Sequence, residues 1–207
     1  MKKALSILTA GCLAVSLAAC GSTAASSAAS AADSTASSAA ESTAASDTAA
    51  ADGQTYKVGI CQLVQHVALD AATQGFKDAL TEQLGDAVTF EEKNAQGDSN
   101  TCTTIINGFV SDNVDLILAN ATPALQAAQA GTNTIPVLGT SVTEYGVALG
   151  IDDFDGLVGT NISGTSDLAP LDEQAGIIKE LFPDAKTVGL LYCSAEPNSQ
   201  YQVDTVK

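Results

Sequence analysis

Arginine and tryptophan are missing from this 207-residue sequence, and histidine occurs once. Without arginine there is no planar fork to grip a phosphate or carboxylate from two sides. The basic residues are eight lysines against 24 acids, a formal charge of −16. That balance excludes a nucleic-acid surface, which needs a basic stripe, and a basic patch for anionic lipid. Metal chemistry lacks its ligands: one His and five scattered cysteines with no C-x-x-C offer no zinc set, and no cofactor is expected. Enzyme signatures are also missing, with no GxSxG, HExxH, GxxxxGK[ST] or strand-borne GxGxxG. The chain is therefore not read as an enzyme.

What is present begins with Lys2 and Lys3, followed by an uncharged, mostly apolar run over 4–19. At about 16 residues that run is short for a membrane span and has the build of a secretory h-region. It ends in Leu17-Ala18-Ala19-Cys20-Gly21-Ser22, small residues around a thiol. We read 1–19 as a lipoprotein signal peptide and Cys20 as the lipidated first residue of the mature chain, held at the extracytoplasmic face of the cell membrane by its acyl chains. An ordinary signal peptide with Cys20 incidental is the alternative. Removing 1–19 takes two lysines and no acid, so the mature charge is 6 − 24 = −18.

Residues 20–53 are almost wholly Ala, Ser and Thr, broken by four acids. No side chain there is large enough to bury the surface that would offset ordering, so the segment reads as a disordered tether, with a reach of roughly 30 Å.

From Gln54 onward the pattern alternates. Tyr56–Gln62 reads as a buried strand. Leu69, Ala72, Phe76, Leu80 and Leu84 recur at helical spacing. Strands over 88–92, 114–119 and 135–138 alternate with helices over 101–110 and 123–130. Such alternation predicts right-handed βαβ units and an α/β fold with a doubly wound parallel sheet. A looser stretch over 139–164 holds one further strand near 147–151. A helix over 168–181, a strand over 187–192 and a helix from about Asn198 then follow. We read 54–163 as one ligand-binding lobe and 164–207 as the start of a second α/β lobe, whose remainder is expected outside this sequence.

In parallel sheets, ligands bind beyond the carboxyl ends of the strands. Those ends carry Gln62, Gln65 and His66 after the first strand, Thr122 after the third, Ser141 after the fourth, and Glu196, Asn198 and Ser199 after the last. Helix N-termini at Thr122 and Ser199 favour an anion, and Asp167 or Glu196 would face an ammonium group, so the set suits a zwitterion. Each residue also has a plainer reading: Thr122, Asn198 and Asp167 as helix caps, His66 as a solvated loop residue, Glu196 as a turn. A hydrolase built on His66, Ser141 and Asp167 is an alternative that any chain of this size offers by chance.

The segments YKVGICQLVQHVALDAATQGFKDAL, FEEKNAQGD, VDLILANATPALQAA, IPVLGTSVTEY, TNISGTSD and LFPDAKTVGLLYCSAEPNSQYQ together resemble the ABC-transporter substrate-binding proteins of tryptophan type. The resemblance covers nearly all of 56–207. It implies a type I periplasmic-binding fold, with a small amino-acid ligand, often aromatic, closed between two hinged lobes. It also implies a permease and an ATPase as partners. The family's cleft turns fall on Gln62, Gln65, His66, Thr122, Ser141, Asp167, Glu196, Asn198 and Ser199. A lipoprotein sensor that presents its ligand to a membrane signalling protein is the second reading.

Overall fold

The computed structural model describes residues 53–207. The expected signal peptide, the lipidated Cys20 and the tether up to position 52 lie outside the described residues. Twelve elements follow in order. They are β1 (Tyr56–Gln62), α1 (Val67–Leu84), a 3₁₀ turn (Gly85–Ala87), β2 (Val88–Asn94), α2 (Ser99–Ser111), β3 (Leu116–Asn120), α3 (Thr122–Gly131), β4 (Val137–Val142), α4 (Tyr145–Leu149), β5 (Ile162–Ser166), α5 (Leu171–Leu181) and α6 (Pro197–Val206). The strands form one parallel sheet in the order β2-β1-β3-β4-β5.

Two apolar layers cover the sheet, and strand alternation sorts residues between them. Val58, Ile60 and Leu118 face α1, where Phe76, Leu80 and Leu84 complete a small cluster. Cys61, Ile117 and Ala119 face the other way, into the larger cluster with Ile106 and Phe109 of α2 and Leu125 of α3. A β-carbon at Gly59 would stand 2.7 Å from the Phe109 ring, so only glycine lets that ring lie on β1.

Four local expectations are corrected. The apolar run at 147–151 is not a strand. Glu144 caps a short helix by accepting from the Gly146 and Val147 amides at 2.9 and 2.5 Å, and Gly150 closes it at φ 66°. Short apolar runs carry no period of their own, so the caps decide. The strand near its expected place is Ile162–Ser166 instead. It escapes periodicity because only Ile162 is buried, and it crosses the division anticipated between 163 and 164. The expected strand over 187–192 has no ladder, and Leu191 is fully exposed. A strand must hand its N–H and C=O groups to a neighbour, and none of the described residues provides one. The fifth helix begins at Leu171 rather than 168, because Pro170 disfavours helical backbone in the residue before it.

Candidate functional site

The carboxyl ends of four strands stand in register. Gln62 pairs with Asn94 on one side and with Asn120 on the other, and Asn120 pairs with Thr140. A row of uncharged polar side chains, Asn94-Gln62-Asn120-Thr140, therefore crosses the sheet edge. From β1 the chain turns back to β2, whereas from β3 it moves on to β4. The gap between β1 and β3 is thus the topological switch point, where an open α/β sheet leaves a crevice.

Gln62 is 3 % exposed and its amide is fully engaged. Its Nε2 donates to the Val64 carbonyl at 2.9 Å and to Asp70 Oδ1 at 2.6 Å, and its Oε1 accepts from Thr73 Oγ1 at 2.7 Å. Gln65 and His66 follow on the exposed loop. His66 caps α1, its Nδ1 accepting from the Ala68 amide at 3.2 Å, which leaves Nε2 toward solvent as the ring's free nitrogen. Gln62 and Gln65 line a polar cleft of about 400 Å³ with Thr73, Asn94 and Gln96.

At the β3 end, Ala121 adopts φ 89° and ψ 157°, a region that only glycine occupies without strain. The next residue, Thr122, is 2 % exposed, and its hydroxyl has no hydrogen-bond partner. Thr122 is the first helical residue of α3, not its cap: Ala121 holds that position and offers no side chain. The Asn120 Oδ1 is also buried and unpaired. Two unsatisfied buried oxygens, on the residues that flank a strained turn at the N-terminus of a helix, are what a ligand or bound water would satisfy.

Gly139, Thr140 and Ser141 lie within β4 rather than after it. The register with β5 shifts between Gly139 and Val142, and Ser141 sits at φ 55°, so the bulge re-aims its half-buried side chain. Asp167 is exposed and directly follows β5, and its amide donates to the Val142 carbonyl at 3.0 Å. It does not cap α5, which begins after Pro170. Tyr145 is 5 % exposed, with its hydroxyl donating to the Thr165 carbonyl at 3.3 Å. Burial, with the Asp167 charge second, pushes its phenol up to about 12. Because the folded phenol holds its proton above the unfolded value near 10, this contribution is complete below about pH 10 and is lost as pH rises through about 12. Tyr145→Phe will therefore flatten the alkaline fall in stability across that window, read as denaturation midpoints from pH 8 to 12. An unchanged slope would show that another group sets the fall.

Glu196, Asn198 and Ser199 form the start of α6. Glu196 occupies the cap position without a side-chain cap bond, so Asn198 is not the cap. Asn198 Oδ1 is buried and unpaired. Helix α6 is fastened to the β4 end by Gln202, whose Nε2 donates to Thr143 Oγ1 at 3.2 Å, and it buries Val203. The structure thus places Gln62 at the end of β1 and Thr122 just past the end of the neighbouring β3, with Gln65 and His66 on the loop after β1. Ser141 and Asp167 stand at the neighbouring strand ends. Among the described residues no hydrogen bond joins Glu196, Asn198 or Ser199 to the crevice between β1 and β3. Sequence reasoning did not single out Asn94, Asn120 or Thr140. Their signal was position: each is a polar residue at or near the end of an apolar strand.

Residues 57–207 match the model of the family described as ABC transporter substrate binding protein. A curated relative, the tyrosine-binding protein of Clostridioides difficile strain R20291, is 41 % identical over 152 residues, which are 72 % of this chain and 44 % of the relative. Among solved structures, the ABC domain of Streptococcus pneumoniae in complex with L-Trp is 34 % identical. Its TM-score is 0.69, and the match covers 74 % of this chain and 52 % of that one. A conserved domain protein from Vibrio cholerae is 35 % identical with the same TM-score and coverage. The ligand-free, open form of a Clostridium difficile substrate binding protein with adhesive properties is 41 % identical, with a TM-score of 0.58 over 73 % of this chain and 52 % of that one. This chain spans about half the length of these relatives. The curated relative and the Clostridium difficile structure are described as binding proteins, and the sheet described above is a type I periplasmic-binding lobe. The chain belongs to the ABC transporter substrate-binding protein family.

Proposed function

We propose that this chain supplies the first lobe of an extracytoplasmic, lipid-anchored receptor that delivers a small amino acid, aromatic by preference, to an ABC permease and its ATPase. The observation that carries this reading is the crevice between β1 and β3. Gln62 and Asn120 stand side by side there with the Asp70 carboxylate hydrogen-bonded to Gln62, two buried oxygens there lack partners, and helix α3 begins beside it. With no arginine in the chain, the ligand carboxylate is held by backbone N–H groups at the start of α3 and by hydroxyls such as Thr122. Asp167 faces the ammonium group, with Ser141 beside it. Gln65 and His66 close the rim, and Glu196, Asn198 and Ser199 approach from the second lobe. The relatives named for tyrosine and bound to L-Trp support an aromatic side chain.

A thermal-shift screen of the mature protein against the twenty amino acids, with nucleosides and sugars alongside, tests the ligand class. A ligand that binds only the folded state raises the midpoint, by an amount equivalent to about 2.7 kcal/mol at one hundred times Kd. Tyr, Trp or Phe should give the largest shifts. Shifts from sugars or nucleosides alone would overturn the amino-acid assignment.

A further inference from the structure

The crevice is held by a polar knot whose members are not all at the strand ends. Thr73 lies in the second turn of α1, buried at 3 % exposure although its helix faces the sheet mainly through apolar side chains. Its hydroxyl donates to Gln62 Oε1 at 2.7 Å and accepts from Asn120 Nδ2 at 2.9 Å. The same Nδ2 donates to the Leu69 carbonyl at 2.9 Å and lies 3.5 Å from Gln62 Oε1. Gln62 in turn grips the loop through the Val64 carbonyl and the first turn of α1 through Asp70. The backbone repeats the pattern: the Leu63 amide donates to the Asn120 carbonyl at 3.2 Å, and the Gly97 amide to the Leu63 carbonyl at 2.8 Å.

This hydrogen bonding fixes orientation. Asn120 must turn its Nδ2 toward the carbonyl of Leu69, which can only accept, and that leaves Oδ1 on the opposite side, buried and unpaired. Thr73, having one proton, must give it to Gln62 in order to accept from Asn120. Gln62 must then present Oε1 to Thr73 and Nε2 to Asp70. Each member has one orientation that satisfies its neighbours, and a buried network whose donors and acceptors are matched in this way, with Asn120 Oδ1 left open, rigidifies what it joins.

We propose that Gln62, Thr73 and Asn120 are positioning residues of the ligand crevice: they lock the 63–66 loop and the start of α1 against the ends of β1 and β3, and leave Asn120 Oδ1 as a fixed acceptor. The proposal rests on the ligand reading above. It changes the part played by Gln62, whose amide acts through its neighbours, and adds Asn120, at the end of β3, and Thr73, a helix residue that no strand-end argument reaches. A crevice held in one shape in advance binds without an ordering cost at the moment of binding.

The test uses the full mature chain, with Thr73→Val as the isosteric loss of the hydroxyl and Thr73→Ser as the conservative rescue. Amide hydrogen exchange is followed at Leu63, Asp70 and Gly97, with Ile117 and Leu118 as internal references. Affinity for L-tryptophan and L-tyrosine is measured in parallel, well below the melting midpoint. Losing the central member should raise exchange at the three loop-linked amides and weaken affinity, each about tenfold, the scale of one unsatisfied buried group. Thr73→Ser should restore both. Exchange that rises equally at the reference amides would mean general loosening and overturn the proposal. Faster loop exchange with unchanged affinity would overturn its bearing on the crevice. If the unmodified protein binds neither amino acid but the loop still responds selectively, the ligand reading fails while the positioning of the loop stands.

Discussion

Phe109→Ala will remove about 3–5 kcal/mol of stability, a large part of the roughly 5–15 kcal/mol that holds a domain folded. Phe109 is 1 % exposed and lies in the main core cluster between α2 and β1. Its ring lies on Gly59, where a β-carbon would come within 2.7 Å of it. Truncation leaves a ring-sized void beside a backbone that has no side chain to fill it. A second substitution gives the sharper reading. Gly59→Ala alone will cost about 1–3 kcal/mol, because the added methyl meets the ring. In the Phe109→Ala background the same methyl enters the void, so its cost should vanish or change sign. Four denaturant titrations complete the cycle. Strictly additive costs would show that ring and glycine do not meet as described.

Cys20→Ala will shift the protein from the membrane fraction to the soluble one and abolish metabolic labelling with palmitate, on the proposal that Cys20 carries a diacylglycerol. The effect is all or none because anchoring needs two chains: one acyl chain gives only marginal, reversible binding, each buried methylene contributing about 0.8 kcal/mol. A mature charge of −18 repels an anionic surface. Among the described residues no helix is long and apolar enough to cross a membrane. Membrane retention of the Cys20→Ala protein would assign the attachment to some other feature and return Cys20 to an incidental role.

The elements that were legible in advance are those whose apolar residues have an unmistakable period or run. Helix α1 shows three- and four-residue spacing over 18 residues, and β1 and β3 are short, continuous apolar runs bounded by polar residues. The misread elements are short, and their form depends on partners. Residues 145–149 are helical because Glu144 and Gly150 cap them. Residues 162–166 form a strand because β4 accepts them, despite their Ser, Gly and Thr. Residues 187–192 have strand composition but no neighbour. Gln62, Thr122 and Ser141 stand at or beside the ends of strands that the sequence made legible, whereas the strand before Asp167 was not anticipated. Thr73 was not legible, because it is one of several polar residues along a helix and only the packing of α1 on the sheet turns it inward.

By itself, the sequence determined the alternation of strands and helices, the acidic charge without arginine, the Cys20 pattern and the family. All of these are local: each is set by neighbours within a few residues or by composition. Tertiary structure decided the register that lines up Asn94, Gln62, Asn120 and Thr140, the closeness of the Phe109 ring to Gly59, and the orientation of the Gln62–Thr73–Asn120 knot. Those depend on contacts between residues about 10 to 60 positions apart. Such contacts are fixed only when the sheet has chosen its strand order and a buried polar group has to find its partner there.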